Sequence, residues 1–211
     1  MSIKIYNTLT RKKEEFKPLK EGNVGIYVCG PTVYDAPHIG HARSAYAFDV
    51  IRRYFIYKDY KVEFVRNVTD VDDKIINKAK EEFKGEDLNI AVKNVSDKYL
   101  KVYHDYMEKL GIMQPDKEPK ATEYIEKMEN FIKILIQAGV AYASGGDVYF
   151  NVRKANGYGK LSNQSFEMLE SGARLIQGEN KIDPLDFALW KSVKSDEPSW
   201  PSPWGNGRPG W

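Results

Sequence analysis

The run VGIYVC, residues 24–29, sets Val24, Ile26 and Val28 at alternate positions, the period-two pattern of a β-strand. GPTVYDAPHIG follows with the composition of a loop. From Gly40 the period lengthens. Ala42, Tyr46, Val50 and Tyr54, with Ala47, Ile51 and Phe55 beside them, recur at helical spacing through HARSAYAFDVIRRYFIYK. VEFVRNVT, residues 62–69, is a second β-rich run. The order strand, loop, helix, strand predicts a βαβ unit with parallel strands.

Beyond it, DVDDKIINKAKEE reads as a helix start, acidic in front and lysine-rich behind, as the helix dipole prefers. A longer helix is predicted from about Asn89 to Leu110, with Val92, Val95, Tyr99, Val102, Tyr103, Tyr106 and Leu110 on one face and Gly111 as its stop. Another is predicted from about Pro119 to Ala138, with Ile125, Met128, Phe131, Ile132 and Leu135 inward. VAYASGGDVYFNV is a hairpin candidate about Gly145-Gly146. From Arg153 onward loop composition prevails, broken by apolar islands such as LDFALWK. A boundary is expected between Gly111 and Pro119, separating a nucleotide-binding-like half from an inserted α+β half.

Composition narrows this picture. The 211 residues are 42% hydrophobic, enough for a substantial core. Thirty-two basic against thirty acidic residues leave a net charge of +2, too little for a protein that holds nucleic acid by bulk charge, so any such contact is local and shaped. A single cysteine, Cys29, cannot form an internal disulfide and suits a reducing compartment, with the cytoplasm as the expected location. MSIKIYNTLTRKKEEF has no apolar signal core, and no uninterrupted apolar stretch reaches the ~18 residues of a membrane span. DEPSWPSPWGNGRPGW places three of the four tryptophans in an irregular tail, and large rings that want a partner suggest a fragment of a longer protein.

The candidate chemistry lies in YVCGPTVYDAPHIGHAR, residues 27–43. A loop between a parallel strand and the next helix sits at the carboxyl end of the sheet, where α/β proteins bind ligands. The helix N-terminus offers unpaired N–H groups to phosphate. His38 and His41, three apart at the helix start, can each donate a hydrogen bond to a phosphate oxygen as charge builds in a transition state. Gly40 leaves room for a base or phosphate to approach the backbone. An HxxH at a helix start also occurs as a surface pair, and Cys29, His38 and His41 are all zinc-ligand types, so spacing leaves these alternatives open. Asp70, Asp72 and Asp73 read as a capped helix start in preference to a magnesium site. His104 lies in an amphipathic helix and reads as structural.

YVCGPTVYDAPHIGHARSAYAFDVIRRY followed by VRNVTDVDDKIINKA resembles the catalytic core of the cysteinyl-tRNA synthetases, a family of class I aminoacyl-tRNA synthetases. NTLTRKKEEFKP, DFALWK and EPSWPSPWGNGRPGW resemble the same family, in the same order, so the likeness spans essentially the whole chain. It implies an α/β fold whose Rossmann-like (HUP-type) parallel-sheet nucleotide-binding core is present as its first half, with an inserted α+β connective domain. Residues 1–114 would be that first half and residues 115–211 the connective insertion. The second half of the core and the anticodon-binding domain would be absent.

The resemblance implies ATP-dependent activation of L-cysteine to cysteinyl-adenylate, with Mg2+ accompanying ATP, and transfer to tRNA(Cys) by a monomer. His38 and His41 would be catalytic as electrostatic stabilisers; Pro31, Thr32, His38, Gly40 and His41 would bind ATP; Cys29, Gly30, Thr69 and Trp211 would border the cysteine. Cys29 would also be a ligand of a zinc ion that selects the substrate thiolate. The family's further zinc ligands, a cysteine, a histidine and a glutamate, and its lysine-rich KMSKS loop are missing from this sequence. An isolated fragment is therefore expected to be inactive. Two rivals are a ligase of the same fold that joins cysteine to a glucosaminyl-inositol, and a non-catalytic nucleotide-binding domain.

Overall fold

The computed structural model describes residues 2–172, 180–194 and 197–210. Its contacts divide the chain into two compact units, Pro18–Tyr124 on the one hand and Met1–Lys17 with Ile125–Trp211 on the other. Near the N-terminus, β1 (Lys4–Asn7) and β2 (Lys12–Glu15) pair antiparallel, and Arg11 at φ 57° closes the turn. This hairpin leaves no apolar alternation in the sequence, because β2 reads KKEE and both strands are mostly exposed.

The Pro18–Tyr124 unit is built on the expected βαβ motif. β3 (Asn23–Val28), α1 (Ile39–Tyr57) and β4 (Lys61–Arg66) follow in order, and the two strands run parallel with Val24 opposite Val62 and Val28 opposite Arg66. Residues 116–121 extend the sheet along the far edge of β4. The Arg66 N–H donates to the Lys117 carbonyl (3.0 Å), that of Val68 to Pro119 (2.9 Å) and that of Ala121 to Val68 (3.0 Å), in parallel register. α2 (Asp73–Glu82) starts where the Asp72 carboxylate accepts the Lys74 N–H, and α3 (Leu88–Lys109) where Asp87 accepts those of Asn89 and Ile90. Gly111 at φ 68° then takes the chain out of α3. Ile75, Ile76 and Ala79 of α2 meet Ala91, Val92, Val95, Tyr99 and Leu100 of α3 over Val33 and Val68, the main apolar core of this unit.

The helix predicted from Pro119 begins later. The Asp70 carboxylate takes both the N–H and the hydroxyl of Thr122 (3.0 and 2.5 Å), while residues 117–121 stay laced to β4. A 3-10 turn at Ala121–Tyr124 therefore precedes α4 (Ile125–Gln137).

In the other unit, β5 (Ala141–Ser144), β6 (Asp147–Phe150), α5 (Phe166–Gly172), β7 (Phe187–Ser192) and β8 (Gly207–Pro209) follow α4, and the strands form an antiparallel sheet in the order β5-β6-β7-β8. Gly145 and Gly146, both at positive φ (64° and 89°), make the expected hairpin turn. The LDFALWK island is not loop but β7, an inner strand whose Trp190 is wholly buried with Ile125, Ile132, Ala141 and Val148. Trp200 and Trp204 pack against this cluster. Among the described residues, no helix is long and apolar enough to cross a membrane.

Candidate active site

The segment after β3 is held to the segment after β4. The Val33 N–H donates to the Thr69 carbonyl (3.2 Å) and the Thr69 N–H to that of Pro31 (3.1 Å). Gly30 is required here because a Cβ on it would lie 1.6 Å from the Asn67 carbonyl oxygen. Its N–H donates to the Asn67 side-chain oxygen at 2.9 Å, a contact the sequence reading missed. So clamped, residues 29–38 cross the carboxyl edge of the sheet and deliver His38 to the head of α1.

There the two histidines cap the helix for each other. His38, in extended conformation (φ −104°, ψ 175°), is the N-cap residue, and its Nδ1 accepts the Gly40 N–H at 3.0 Å. His41 Nδ1 accepts the His38 N–H at 3.1 Å. This is a capping box with imidazoles in the place of the usual serine and glutamate. An Nδ1 that accepts leaves Nε2 as the N–H donor of each ring. Their centroids are 4.1 Å apart. Burial, and then the neighbouring His38, hold the His41 pKa below the ordinary imidazole value, which keeps that tautomer at neutral pH. Gly40 has a local reason to be glycine: a Cβ would meet His38 Cε1 at 2.7 Å and Nδ1 at 2.9 Å.

The histidines open onto a cleft of about 370 Å³ that lies wholly within the Pro18–Tyr124 unit. Cys29, Gly30, Pro31, Thr32, His38 and His41 all line it, so the structure brings together most of the residues singled out in the sequence. Gly40 stands at the helix head just outside the lining. Thr69 is buried and joins Pro31 and Val33 through its backbone without lining the cleft. Trp211 lies outside the described residues. A smaller cavity of about 80 Å³ adjoins along residues 31–38 and is closed by Tyr99 and Tyr103.

Periodicity did not reveal the polar side of the cleft. Asp49 and Arg52, both buried, line it from α1, with Arg66 from β4 and Tyr103 from α3. Asp49 accepts from Arg53 Nε (2.6 Å) and the Met113 N–H (3.0 Å). Arg52 donates twice to Asp116 (2.9 and 3.0 Å) and once to the Gln114 carbonyl (2.6 Å), leaving its buried Nε without a hydrogen-bond partner among the described residues. Arg66 binds Glu118 through Nε and Nη2, and Glu118 also meets His104 at 2.6 Å. His104 thus serves the structure as the second partner of that carboxylate.

Cys29 is a free, exposed thiol. No group of three or more histidine, cysteine, aspartate or glutamate side chains among the described residues could hold a metal ion. Both Nδ1 atoms of the histidine pair are spent on backbone N–H groups. The described residues therefore do not by themselves fit a zinc ion.

Comparison with known proteins shows the family. Residues 15–211 match the family model described as the tRNA synthetases class I (C) catalytic domain. The chain belongs to that family. Among curated members, the cysteine–tRNA ligase of Sulfurihydrogenibium sp. (strain YO3AOP1) is 58% identical over 211 residues, covering 100% of this chain and 42% of the relative. The cysteine–tRNA ligase of Finegoldia magna is 55% identical, over 99% of this chain and 44% of its own length. The chain thus spans less than half the length of these synthetases. A solved structure described as an arginyl-tRNA synthetase from Campylobacter jejuni superposes with a TM-score of 0.52 at 17% identity, over 65% of this chain and 39% of that one, a likeness of fold alone.

Proposed function

We propose that this chain is the part of a cysteine–tRNA ligase that binds ATP and begins to enclose L-cysteine, in an enzyme that forms cysteinyl-adenylate and passes the cysteinyl group to tRNA(Cys). The observation that carries this reading is the meeting, in one cleft, of Cys29 at the end of β3 with two imidazoles locked as Nε2–H donors at the head of α1. The activity named for the relatives favours tRNA over an amino sugar as the acceptor. The cytoplasm is the compartment that suits such an enzyme.

In the first step a carboxylate oxygen of cysteine attacks the α-phosphorus of ATP, the bond from that phosphorus to the bridging oxygen of the β-phosphate breaks, and pyrophosphate leaves with the electron pair. Negative charge builds on the oxygens around phosphorus. His38 and His41, their Nδ1 atoms already occupied, present Nε2–H donors to those oxygens without reorganising. The N-terminus of α1 adds its partial positive charge. Pro31 and Thr32 line the cleft where the nucleotide rests, with Gly40 beside them at the helix head, and Cys29 and Gly30 line its cysteine side, to which the family resemblance also assigns Thr69 and Trp211. In this reading Cys29 gives one thiolate to a zinc site whose other donors lie outside the described residues, and no step above runs through the metal.

The test is cysteine-dependent exchange of labelled pyrophosphate into ATP by the whole gene product. His41→Ala is expected to slow exchange by about 10²–10³-fold. Exchange should also fail as pH drops below the ordinary imidazole range, because protonating His41 Nδ1 removes the acceptor for the His38 N–H. Full exchange in the variant, or equal exchange with serine in place of cysteine, would overturn the assignment.

A further inference from the structure

Four charged side chains line the cleft, and three of them are committed to partners within the fold: Asp49 to Arg53, Arg52 to Asp116, and Arg66 to Glu118. The fourth, Lys74, is different. It is the second residue of α2, exposed, and its ammonium makes no ion pair or hydrogen bond among the described residues. The contact it does make is with the face of Tyr34, 5.0 Å from the ring centroid. Tyr34 lines the same cleft and also the small cavity beside His38 and His41. A cation–π contact holds an ammonium in place while leaving its N–H groups free to donate. The other lysines of the KIINKAK run do not share this position: Lys78 pairs with Glu82, and neither Lys78 nor Lys80 lines the cleft.

We propose that Lys74 is a further phosphate-binding residue of this site, donating from its ammonium to a non-bridging oxygen of the ATP triphosphate while Tyr34 fixes its direction. This rests on the functional reading above and adds to it the only lining cation, among the described residues, that is not neutralised by the fold. Both Nδ1 atoms of the histidine pair are occupied and both lining arginines are paired within the fold, so among the described lining residues Lys74 is what offers a triphosphate an unpaired positive charge. An ammonium at this point attracts phosphate over distance, whereas the imidazoles act only on contact.

The experiment titrates the whole gene product with ATP and, separately, with adenosine, and measures the KM for ATP in pyrophosphate exchange. Lys74→Met, which keeps the length of the stem, should weaken ATP and raise its KM by about tenfold or more, as for loss of a charged hydrogen bond. Adenosine binding should be unchanged, and Lys74→Arg should restore most of the ATP affinity. Unchanged ATP affinity in Lys74→Met would overturn the proposal. So would equal weakening of ATP and adenosine, which means a collapsed pocket, or intact exchange with reduced charging of tRNA, which assigns the lysine to the nucleic acid's phosphodiesters. If ATP binding depends on Lys74 but cysteine supports no exchange, the lysine assignment stands and the cysteine reading falls.

Discussion

α1 and α3 lie in the same unit and both carry an apolar stripe at helical spacing, yet they use it in opposite ways. In α3 the stripe is covered where it meets α2: Val92, Val95 and Tyr99 are buried, and exposure returns only at Tyr106 and Leu110 near the end. In α1 the stripe of Tyr46, Val50 and Tyr54 is about half exposed, while the buried positions include Asp49 and Arg52. Amphipathic spacing tells which face can leave water, not which face does. α3 packs against a neighbour of matching hydrophobicity. α1 turns toward the cleft with an inward face that carries charge, and buried charge has to be compensated, here in part by partners far along the chain.

The largest expected effect tests that compensation. Asp116→Ala removes the carboxylate that accepts two hydrogen bonds from Arg52 and one from the Phe64 N–H (2.6 Å), leaving a buried guanidinium unpaired. Because Asp116 is itself 42% exposed and Arg52 keeps the Gln114 carbonyl, denaturant unfolding should show a loss of about 2–3 kcal/mol. A loss under 1 kcal/mol would mean that water reaches Arg52 and that the polar face of α1 is not buried in solution.

Val95→Ala probes the apolar counterpart. Val95 is fully buried in the core shared by α2 and α3, and two lost methyl groups with incomplete collapse should cost about 2 kcal/mol. ATP affinity should not move, since Val95 does not line the cleft. A change in affinity without a change in stability would reverse the roles assigned to the two helices.

The smallest effect concerns pH. Hydrogen bonds from Lys98 (2.7 Å) and then Tyr99 (2.6 Å) of α3 pull the Glu82 pKa down to about 2. The folded state therefore binds this proton more weakly than the unfolded chain, and the stabilisation present above pH 4.5 is lost as pH falls toward 2. Glu82→Gln should cost about 1 kcal/mol at neutral pH, solvent screening of this partly exposed cluster included, and should flatten the acid side of the stability profile. An unchanged profile would show that the α2–α3 contact is apolar throughout.

What could be read in advance follows from how local each cause is. The βαβ unit, α2, α3 and the Gly145-Gly146 hairpin write themselves in neighbouring residues, through period, cap or turn chemistry. β7 did not, because Ala188 and Trp190 are inner-strand residues only by virtue of β6 and β8, and an island of a few apolar residues cannot announce both neighbours. The delayed start of α4 depends on Asp70, 52 positions from Thr122. At the site, HIGH marked its own histidines, whereas Asp49, Arg52 and Arg66 reveal their purpose only through Met113, Asp116 and Glu118, each more than 50 positions away. Lys74 looked like one more lysine on a solvated helix until Tyr34 came to lie beneath it.

The reciprocal cap at the head of α1 also limits how this stretch can evolve. His38 needs Gly40 because its ring occupies the space of any Cβ there, Gly40 gives its N–H to His38, and His38 gives its own N–H to His41. Changes at 38, 40 and 41 should therefore show epistasis: once one has been altered, altering a second should cost much less than it would alone. Drift through single substitutions meets its full penalty at the first step, so the three positions are expected to change together or not at all.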